Sequence, residues 1–443
     1  MRRTARILRT LLPLVLLLLG ATPAAAVTIE RVVSPGGIEA WLVEDHSNPI
    51  IDLDVAFRGG ASVQPAAKPG LATLVSGLLD EGAGPYDSQA FQGKLQDLAI
   101  ELAFEADRDT FRGHLKTITD HRDTAFDLFR LALTQPRFDP EPVARVRSQI
   151  LTMLAHEQQS PDAVAALTWF KTAFAGHPYA EPVRGTPDSV KALSVADLRD
   201  YVKRHLARDA LVVAVTGDIT PAELGKLLDS TFGALPAKAE PAAVPEAALR
   251  APGRIVVVPA DNPQSTCMFG EQGPKRDDPD WYAAYVMNYI LGGGGFSSWL
   301  TEEVREKRGL AYSVFSTLYP LRHAGLIIGS VATENARMGD SLKLIREQWA
   351  RMRDQGPSDQ ELADAKTFLT GSFPLMLDST TSIANLLLTL QLDHLGIDYL
   401  DRRSALIDRV GMDDVRRVAK RLLDPAALEV VIVGKPEGVA ATK

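Results

Sequence analysis

The chain has 443 residues, of which 46% are hydrophobic and 23% charged, and its formal net charge is -8. This composition is typical of globular proteins, and the length predicts two or more domains with sizeable cores. The negative net charge argues against nucleic acid or an anionic membrane surface as a partner. Cys267 is the only cysteine in the sequence, so no intramolecular disulfide can form.

The amino terminus has the pattern of an export signal. Four arginines precede an apolar run from Leu11 to Leu19, and three alanines at 24–26 provide a small-residue cleavage site. The apolar run is about half the length that spans a bilayer. Residues 1–26 are therefore predicted to be a cleaved signal peptide, in preference to an uncleaved membrane anchor. Its removal takes the formal charge from -8 to -12. We expect a mature periplasmic or secreted chain that has no membrane contact after signal cleavage.

Periodic patterns predict the elements of the first half. Apolar and β-branched runs indicate strands over Ile29–Val43 and Ile51–Gly59, a helix over Leu71–Leu79, and a further strand over Phe111–Ile118. Three helices are predicted after them, at Arg122–Leu133, Pro142–Gln158 and Asp162–Ala175. Strands and helices that follow one another without regular βαβ alternation favour an α+β fold.

An internal duplication organises the chain. Asp197–Gly217 and Asp414–Gly434 align at a constant offset of 217 without a gap, and nine positions are identical. Each copy has the pattern of an amphipathic helix, a turn and a buried strand. We therefore predict two homologous α+β halves, at 27–233 and 253–443, joined by an Ala/Pro-rich linker at 234–252. The second half repeats the first more loosely, through elements at Trp281–Leu291, Ala324–Val331 and Met338–Met352.

A second conspicuous segment runs from Leu291 to Val314, LGGGGFSSWLTEEVREKRGLAYSV. Arg305 and Tyr312 stand seven residues apart across a predicted helix-to-strand turn. A guanidinium and a phenol presented together can hold a carbonyl oxygen, and hold it more strongly as negative charge develops there. The residues alone equally allow an exposed helix that ends at a glycine cap, followed by an ordinary strand tyrosine.

Four segments together resemble the M16 (pitrilysin-type) peptidase family over essentially the whole mature chain. They are LGGGGFSSWLTEEVREKRGLAYSV in the second half, and FRGGASVQPAAKPGLATLVSGLLDEG, FEADRDT and FAGHPYAEPVRGTPDSV in the first. The resemblance implies tandem M16/LuxS-like metallohydrolase-type domains that form half of a clamshell chamber.

Active members of that family carry His-x-x-Glu-His on the first helix, where residues four apart share one face and bind one zinc ion. Here Thr73 and Gly77 occupy the histidine positions and Ser76 the glutamate position, while Thr152 or Met153 falls near the distal glutamate ligand. We predict no metal site in this chain and no cofactor. No two of the eight histidines are four residues apart, and the least implausible remnant of a site is His156-Glu157.

The resemblance also implies a role for the second half. In two-subunit members, one chain supplies the zinc motif and the other an Arg/Tyr pair that holds the substrate carbonyl and stabilises the oxyanion. Arg305 and Tyr312 match that pair, and Gly292, Gly293, Gly294, Gly295 and Phe296 match the loop beside an extended peptide. Trp299 departs from the family, which often has arginine there.

These residues predict a non-catalytic subunit that pairs with a zinc-binding sister chain to hydrolyse peptides. A structural or peptide-binding protein without a role in proteolysis is the alternative. A peptidase that is active by itself is disfavoured, because the zinc motif is lost.

Overall fold

The computed structural model describes residues 27–442 and contains two β-sheets. The predicted export signal lies outside the described residues. The first sheet has six strands: β1 (Glu30–Val33), β2 (Glu39–Glu44), β3 (Ile50–Arg58), β4 (Glu101–Ala106), β5 (Thr110–Ile118) and β6 (Leu211–Gly217). The second sheet has five: β7 (Ile255–Pro259), β8 (Gln264–Gln272), β9 (Ala311–Leu321), β10 (Ala324–Glu334) and β11 (Glu429–Gly434).

The five strands of the second sheet have the same topology as β2 to β6 of the first sheet, in which β1 is an additional edge strand. The strand order is β1-β2-β6-β3-β5-β4 in the first sheet and β7-β11-β8-β10-β9 in the second. The parallel pair is β2 with β6 in the first sheet and β7 with β11 in the second. From β6 to β4 and from β11 to β9, all neighbouring strands are antiparallel. The predicted α+β class and the two homologous halves are confirmed, and β4 and β9 occupy equivalent edges.

Helices cover these sheets. Those between β3 and β7 are α1 (Leu71–Ser76), α2 (Ser88–Asp97), α3 (Arg122–Thr134), α4 (Pro140–Glu157), α5 (Pro161–Ala173), α6 (Pro187–Ala192), α7 (Val195–His205) and α8 (Pro221–Phe232). Those after β8 are α9 (Trp281–Asn288), α10 (Met338–Asp354), α11 (Asp359–Gly371), α12 (Thr380–Leu392), α13 (Tyr399–Asp408) and α14 (Met412–Leu422). Two π-helical segments lie at Tyr289–Gly293 and Thr301–Glu306.

The repeated sequence forms equivalent helix–strand units, α7–β6 and α14–β11. Both strands end in a glycine with positive φ, 132° at Gly217 and 144° at Gly434. A Cβ atom on Gly217 would lie 2.0 Å from the Ile50 carbonyl oxygen, and one on Gly434 would lie 2.4 Å from the Ser265 Oγ. A side chain is therefore excluded at the same point of both repeats.

The two halves exchange helices. Helix α5 of the first half packs on β8 and β11 of the second sheet, where Trp169 is fully buried and its Nε1 donates to the Glu429 carbonyl oxygen at 3.2 Å. Helix α12 of the second half packs on β3 and β6 of the first sheet, and its Gln391 Nε2 donates to the Val213 carbonyl oxygen at 2.9 Å. Each sheet thus completes its core with a helix from the other half.

Three local predictions differ from the structure. The predicted strand Ile29–Val43 is two antiparallel strands, because the chain turns at Gly37, whose φ is 84°. Helix α1 ends at Ser76 and not at Leu79, since Gly77 caps it. The pattern analysis also missed the strands β4, β7 and β8 and the helices α2, α6, α8, α11, α12 and α13.

The segment 234–252 contains no helix or strand. It is nevertheless attached to both halves. The Arg208 amide donates to the Pro236 carbonyl oxygen at 2.9 Å, and the Ala247 amide donates to the His323 carbonyl oxygen at 2.8 Å.

Within residues 27–442 there is no helix long and apolar enough to cross a membrane.

Candidate functional site

Arg305 and Tyr312 come together at the surface of the second half. Arg305 lies in the π-helical segment Thr301–Glu306, and the chain then turns at Gly309 (φ 59°), whose amide donates to the Arg305 carbonyl oxygen at 2.9 Å. Strand β9 begins two residues later. The turn brings the Arg305 guanidinium carbon to 5.3 Å from the Tyr312 ring centroid. The sequence alone also allowed a helix that simply ends at a glycine cap. The turn at Gly309 is present, and it brings Arg305 and Tyr312 together.

A second aromatic ring joins the pair. The Arg305 guanidinium carbon lies 4.6 Å from the Phe296 ring centroid, so the cation contacts two aromatic rings. The Tyr312 residue is 84% exposed and Phe296 is 71% exposed, whereas aromatic residues are usually buried in a folded core. We call Arg305, Tyr312 and Phe296 the Arg/Tyr surface.

The guanidinium of Arg305 keeps free donors. Its Nε lies 3.3 Å from the Glu306 Oε1, which is the single ion pair of Arg305 among residues 27–442. A guanidinium carries five N–H donors, so most of them remain available to a ligand. The Tyr312 hydroxyl likewise has no hydrogen-bond partner within the described part of the chain. The surface therefore offers several unsatisfied donors to an oxygen acceptor.

The glycine loop divides into a packed and an open part. Gly292 is buried, and a Cβ atom there would lie 2.3 Å from the Ser316 Oγ of β9. A Cβ on Gly293 or Gly294 would also clash, at 2.9 Å from the Asn288 Nδ2 and at 2.8 Å from a backbone carbonyl oxygen. Gly295 has φ 57° and open space around it. Gly292 therefore fits the loop against β9, and the exposed Gly293 and Gly295 lead to Phe296.

Trp299 does not reach the Arg/Tyr surface. It is 1% exposed, its Nε1 donates to the Glu361 Oε1 at 2.6 Å, and the Arg351 guanidinium carbon lies 3.7 Å from its ring centroid. The tryptophan thus packs into the core of the second half. The departure from the family's arginine changes the interior of this half and not its exposed surface.

The positions that the family resemblance assigns to the zinc motif lie in α1 and at its end. The Thr73 Oγ1 donates to the Val183 carbonyl oxygen at 2.9 Å, and the Ser76 Oγ donates to the Thr73 carbonyl oxygen at 3.0 Å. Gly77 has no side chain, and a Cβ atom there would lie 3.0 Å from the Val146 Cγ1. Both hydroxyl groups donate to backbone carbonyl oxygens, and these two bonds do not arrange them as ligands of one metal ion.

Thr73 and Ser76 line a cavity of about 440 Å³, which also contains an ion pair that the sequence did not suggest. The Arg184 Nη1 lies 2.5 Å from the Glu157 Oε1, and both residues line this cavity. Thr152 and Met153, which were placed near the distal ligand, are exposed and are not part of the lining.

The residues of this cavity do not fit a zinc ion. Glu157 is the sole carboxylate of α4 that lines the cavity, and it is paired with the Arg184 guanidinium. This guanidinium repels a metal cation and occupies the carboxylate that would otherwise be the metal's ligand. No group of three or more His, Cys, Asp or Glu side chains within residues 27–442 has a geometry suited to a metal. His156 is exposed and lies outside the cavity lining.

The Arg/Tyr surface and the degenerate motif lie at opposite ends of β9. Tyr319, near the end of this strand, lines the cavity that contains Thr73 and Ser76. Tyr312 lies seven residues earlier, a separation of about 23 Å along an extended strand. The Arg/Tyr pair therefore cannot act on the same substrate carbonyl as the degenerate motif of its own chain.

Two other reactive side chains have structural roles. His177 is buried, its Nδ1 accepts from the Tyr179 amide at 3.1 Å, and its Nε2 lies 2.9 Å from the Pro245 carbonyl oxygen. Cys267 is fully buried in β8, and burial raises the pKa of its thiol to about 12. A thiol with such a pKa is protonated at neutral pH and is not an activated nucleophile.

Two family models match the chain. The model of insulinase (peptidase family M16) matches residues 40–187, and that of the peptidase M16 inactive domain matches residues 192–369. Together they cover most of the chain, and their arrangement agrees with two tandem α+β halves. The chain belongs to the peptidase M16 family.

Some relatives of this chain are named as proteases and another as a non-peptidase homolog. A non-peptidase homolog, YmxG of Helicobacter pylori, is 28% identical over 84% of this chain and 86% of its own length. An uncharacterized zinc protease of Streptomyces coelicolor is 28% identical over 89% of this chain and 87% of its own length. Among solved structures, a peptidase M16 inactive domain from Pseudomonas fluorescens has a TM-score of 0.86 and 28% identity, covering 94% of this chain and 99% of that one. The similarity thus includes members that are described as inactive.

Proposed function

We propose that this protein is the non-catalytic subunit of an exported, two-subunit M16 peptidase. In this proposal a sister chain with the His-x-x-Glu-His motif holds the zinc ion, and this chain binds the substrate peptide through Arg305 and Tyr312. The observation that carries the proposal is the exposure of a preassembled Arg/Tyr pair whose donors are free. Exposed aromatic residues around a cation are a costly arrangement for a surface that binds nothing.

The chemistry of the pair suits a developing oxyanion. Phe296 and Tyr312 hold the guanidinium of Arg305 in place by stacking, so it loses little conformational freedom when a ligand binds. The guanidinium and the phenol can both donate to one carbonyl oxygen of a peptide. Such donors contribute more when the oxygen becomes negative in the transition state of acyl transfer than when it is neutral.

The neighbouring backbone suits an extended peptide. Strand β9 is the edge of the second sheet, so one side of its backbone lies outside the β-ladder. A peptide can add to such an edge through main-chain hydrogen bonds. Gly293 and Gly295 next to Phe296 leave room for a backbone to approach closely.

A partner is required because the two half-sites of this chain are separated along β9 and its own motif cannot bind zinc. We therefore propose a heterodimer in which the Arg/Tyr surface of this chain and the zinc helix of the sister chain face each other across a shared chamber. We propose that this heterodimer acts in the periplasm or outside the cell, because residues 1–26 have the pattern of an export signal.

The test is peptide hydrolysis by three samples: this chain alone, a sister chain carrying His-x-x-Glu-His alone, and the two together. We expect activity only in the mixture, and we expect a chelator to abolish it. A mixture no more active than the sister chain alone would refute the proposal.

A second candidate is a peptide-binding or structural protein without a role in proteolysis. The relative named as a non-peptidase homolog supports it. The same mixing experiment separates the candidates, because a purely binding protein would retain an extended peptide without raising its hydrolysis. Labelled peptide retained by this chain but not by its Arg305→Ala variant, with no gain of activity on mixing, would favour this second function.

A further inference from the structure

A charged cavity of about 410 Å³ lies between the two halves, away from the Arg/Tyr surface. It is built by the end of β3, the β4–β5 turn, the segment before α9, the β9–β10 turn and the end of α12. Six cationic side chains line it: Arg58, Arg108, Arg112, Lys275, Arg276 and Arg322. Four carboxylates accompany them: Asp107, Asp109, Asp277 and Asp393. The lining is therefore net positive in a protein whose net charge is negative.

Two of the cations have no counterion. Within residues 27–442, the side chains of Arg58 and Arg322 have no hydrogen bond and no ion pair, although nearly every other cation of this lining has a partner. Arg58 is partly buried, and burial together with the nearby Arg322 guanidinium lowers its pKa. Arg322 is exposed, and its repulsion of the partly buried Arg58 makes the empty cavity less favourable than one that holds an anion.

Two carboxylates of the lining, those of Asp107 and Asp109, stabilise the β4–β5 turn. The Asp107 Oδ1 accepts from the amides of Asp109 and Thr110, each at 2.7 Å, and its Oδ2 accepts from the Thr110 hydroxyl at 2.6 Å. Asp109 accepts from the Tyr179 hydroxyl at 2.6 Å and from the Arg322 amide at 2.9 Å. These bonds hold both carboxylates in the β4–β5 turn, and within residues 27–442 neither carboxylate forms an ion pair with Arg58 or Arg322.

We propose that this cavity binds a small oxyanion with two negative charges, either a phosphate group or a dicarboxylate, between Arg58 and Arg322. Guanidinium groups bind such anions with paired, charge-assisted hydrogen bonds. Arg58 belongs to the first half and Arg322 to the second, so the bound anion bridges the halves. It stabilises the folded chain in proportion to its occupancy.

The first experiment measures the thermal unfolding midpoint in a zwitterionic buffer with increasing inorganic phosphate. We expect the midpoint of the wild-type chain to rise with phosphate, and the Arg58→Gln and Arg322→Gln variants to need about 10- to 100-fold more phosphate for the same rise. Arg353→Gln is the matched control, since Arg353 is paired with Asp354 on an exposed helix end. Sodium chloride at equal ionic strength controls for screening.

A second readout separates ligand binding from a structural role of the arginine. Without phosphate, Arg58→Gln is expected to unfold at or above the wild-type midpoint, because the repulsion with Arg322 is gone. At high phosphate it is expected to unfold below the wild type. A phosphate response that is equal in all variants, or that chloride reproduces, would overturn the proposal, and so would an Arg58→Gln variant that is less stable by the same amount at every phosphate concentration.

The source of the anion is resolved by calorimetric titration with phosphate, with succinate, and with a blocked tripeptide containing aspartate or asparagine. Binding of phosphate or succinate that depends on Arg58 identifies a free small anion. Stronger Arg58-dependent binding of the aspartate tripeptide would overturn the proposal of a small dianion, because it would identify the ligand as the singly charged side chain of an acidic peptide. If no probe binds in an Arg58-dependent manner, the proposed site does not exist.

Discussion

The replacement Glu429→Gln tests whether a buried carboxyl group makes the stability of the second half depend on pH. Glu429 is fully buried at the start of β11, and neither carboxyl oxygen has a hydrogen-bond partner within residues 27–442. Burial raises the pKa of this carboxyl from 4.5 to about 8, and the charge of Arg254 opposes the rise only in part. The folded protein therefore keeps a proton on Glu429 at neutral pH.

The sign of the effect follows from proton linkage. Below the unfolded-state pKa near 4.5 both states hold the proton, and the group contributes its full stability. Between that value and about 8 the unfolded chain releases the proton while the folded chain retains it, so stability falls as pH rises. The slope is about 1.4 kcal/mol per pH unit, which gives an upper limit of about 4 to 5 kcal/mol over the whole interval.

Glutamine has nearly the shape of the protonated acid but does not ionise. We expect Glu429→Gln to be close to the wild type in stability near pH 5 and to be increasingly more stable up to pH 8. The stability of the variant still falls to some extent as pH rises, because burial also raises the pKa of Glu271 to about 8. Urea unfolding at intervals of about one pH unit measures the difference.

The control is Glu437→Gln, because Glu437 is exposed. We expect the difference in unfolding free energy between this variant and the wild type to be the same at every pH. A difference between Glu429→Gln and the wild type that is the same at pH 5 and pH 8 would refute the assignment of a buried, protonated carboxyl.

Three further predictions concern the Arg/Tyr surface, the exchanged helix and the repeated glycine. Arg305→Ala or Tyr312→Phe is expected to lower kcat of the assembled peptidase by about 10²- to 10³-fold, the usual loss when one oxyanion donor is removed, as measured in the mixed-subunit assay. Trp169→Ala is expected to lower the free energy of unfolding by about 3 to 5 kcal/mol in urea titrations, because the fully buried ring joins α5 to the second sheet. Gly217→Ala is expected to cost more than about 2 kcal/mol in the same assay, because a Cβ atom would collide with a backbone carbonyl oxygen.

Each of these changes has a matched control. Arg308→Ala removes a cation three residues from Arg305 that is paired with Glu303, and should leave kcat within a few-fold of the wild type. Leu167→Ala alters a 38% exposed residue of α5 and should cost less than about 1 kcal/mol. Gly93→Ala, in α2 with open space around it, should stabilise slightly. Equal effects in a variant and its control would contradict the corresponding argument.

The sequence by itself determined the features that depend on local pattern. The repeated helix and strand at Asp197–Gly217 and Asp414–Gly434 predicted two α+β halves, because periodicity and turn residues act within about twenty residues. The sequence also shows directly that Thr73, Ser76 and Gly77 do not form a His-x-x-Glu-His run, since such a motif on one helix is defined by residue type and spacing. Arg305 and Tyr312 were found for the same reason, as they are joined by one short turn.

The tertiary structure decided what depends on contacts between distant segments. Helices α5 and α12 are mostly apolar, and nothing in their local sequence states that each covers the sheet of the other half. The Glu157–Arg184 pair and the cavity of Arg58 and Arg322 likewise join segments that are tens to hundreds of residues apart. A charge pattern along the chain fixes which side chains are polar, but only the packing of the two halves decides which of them meet and which remain unpaired.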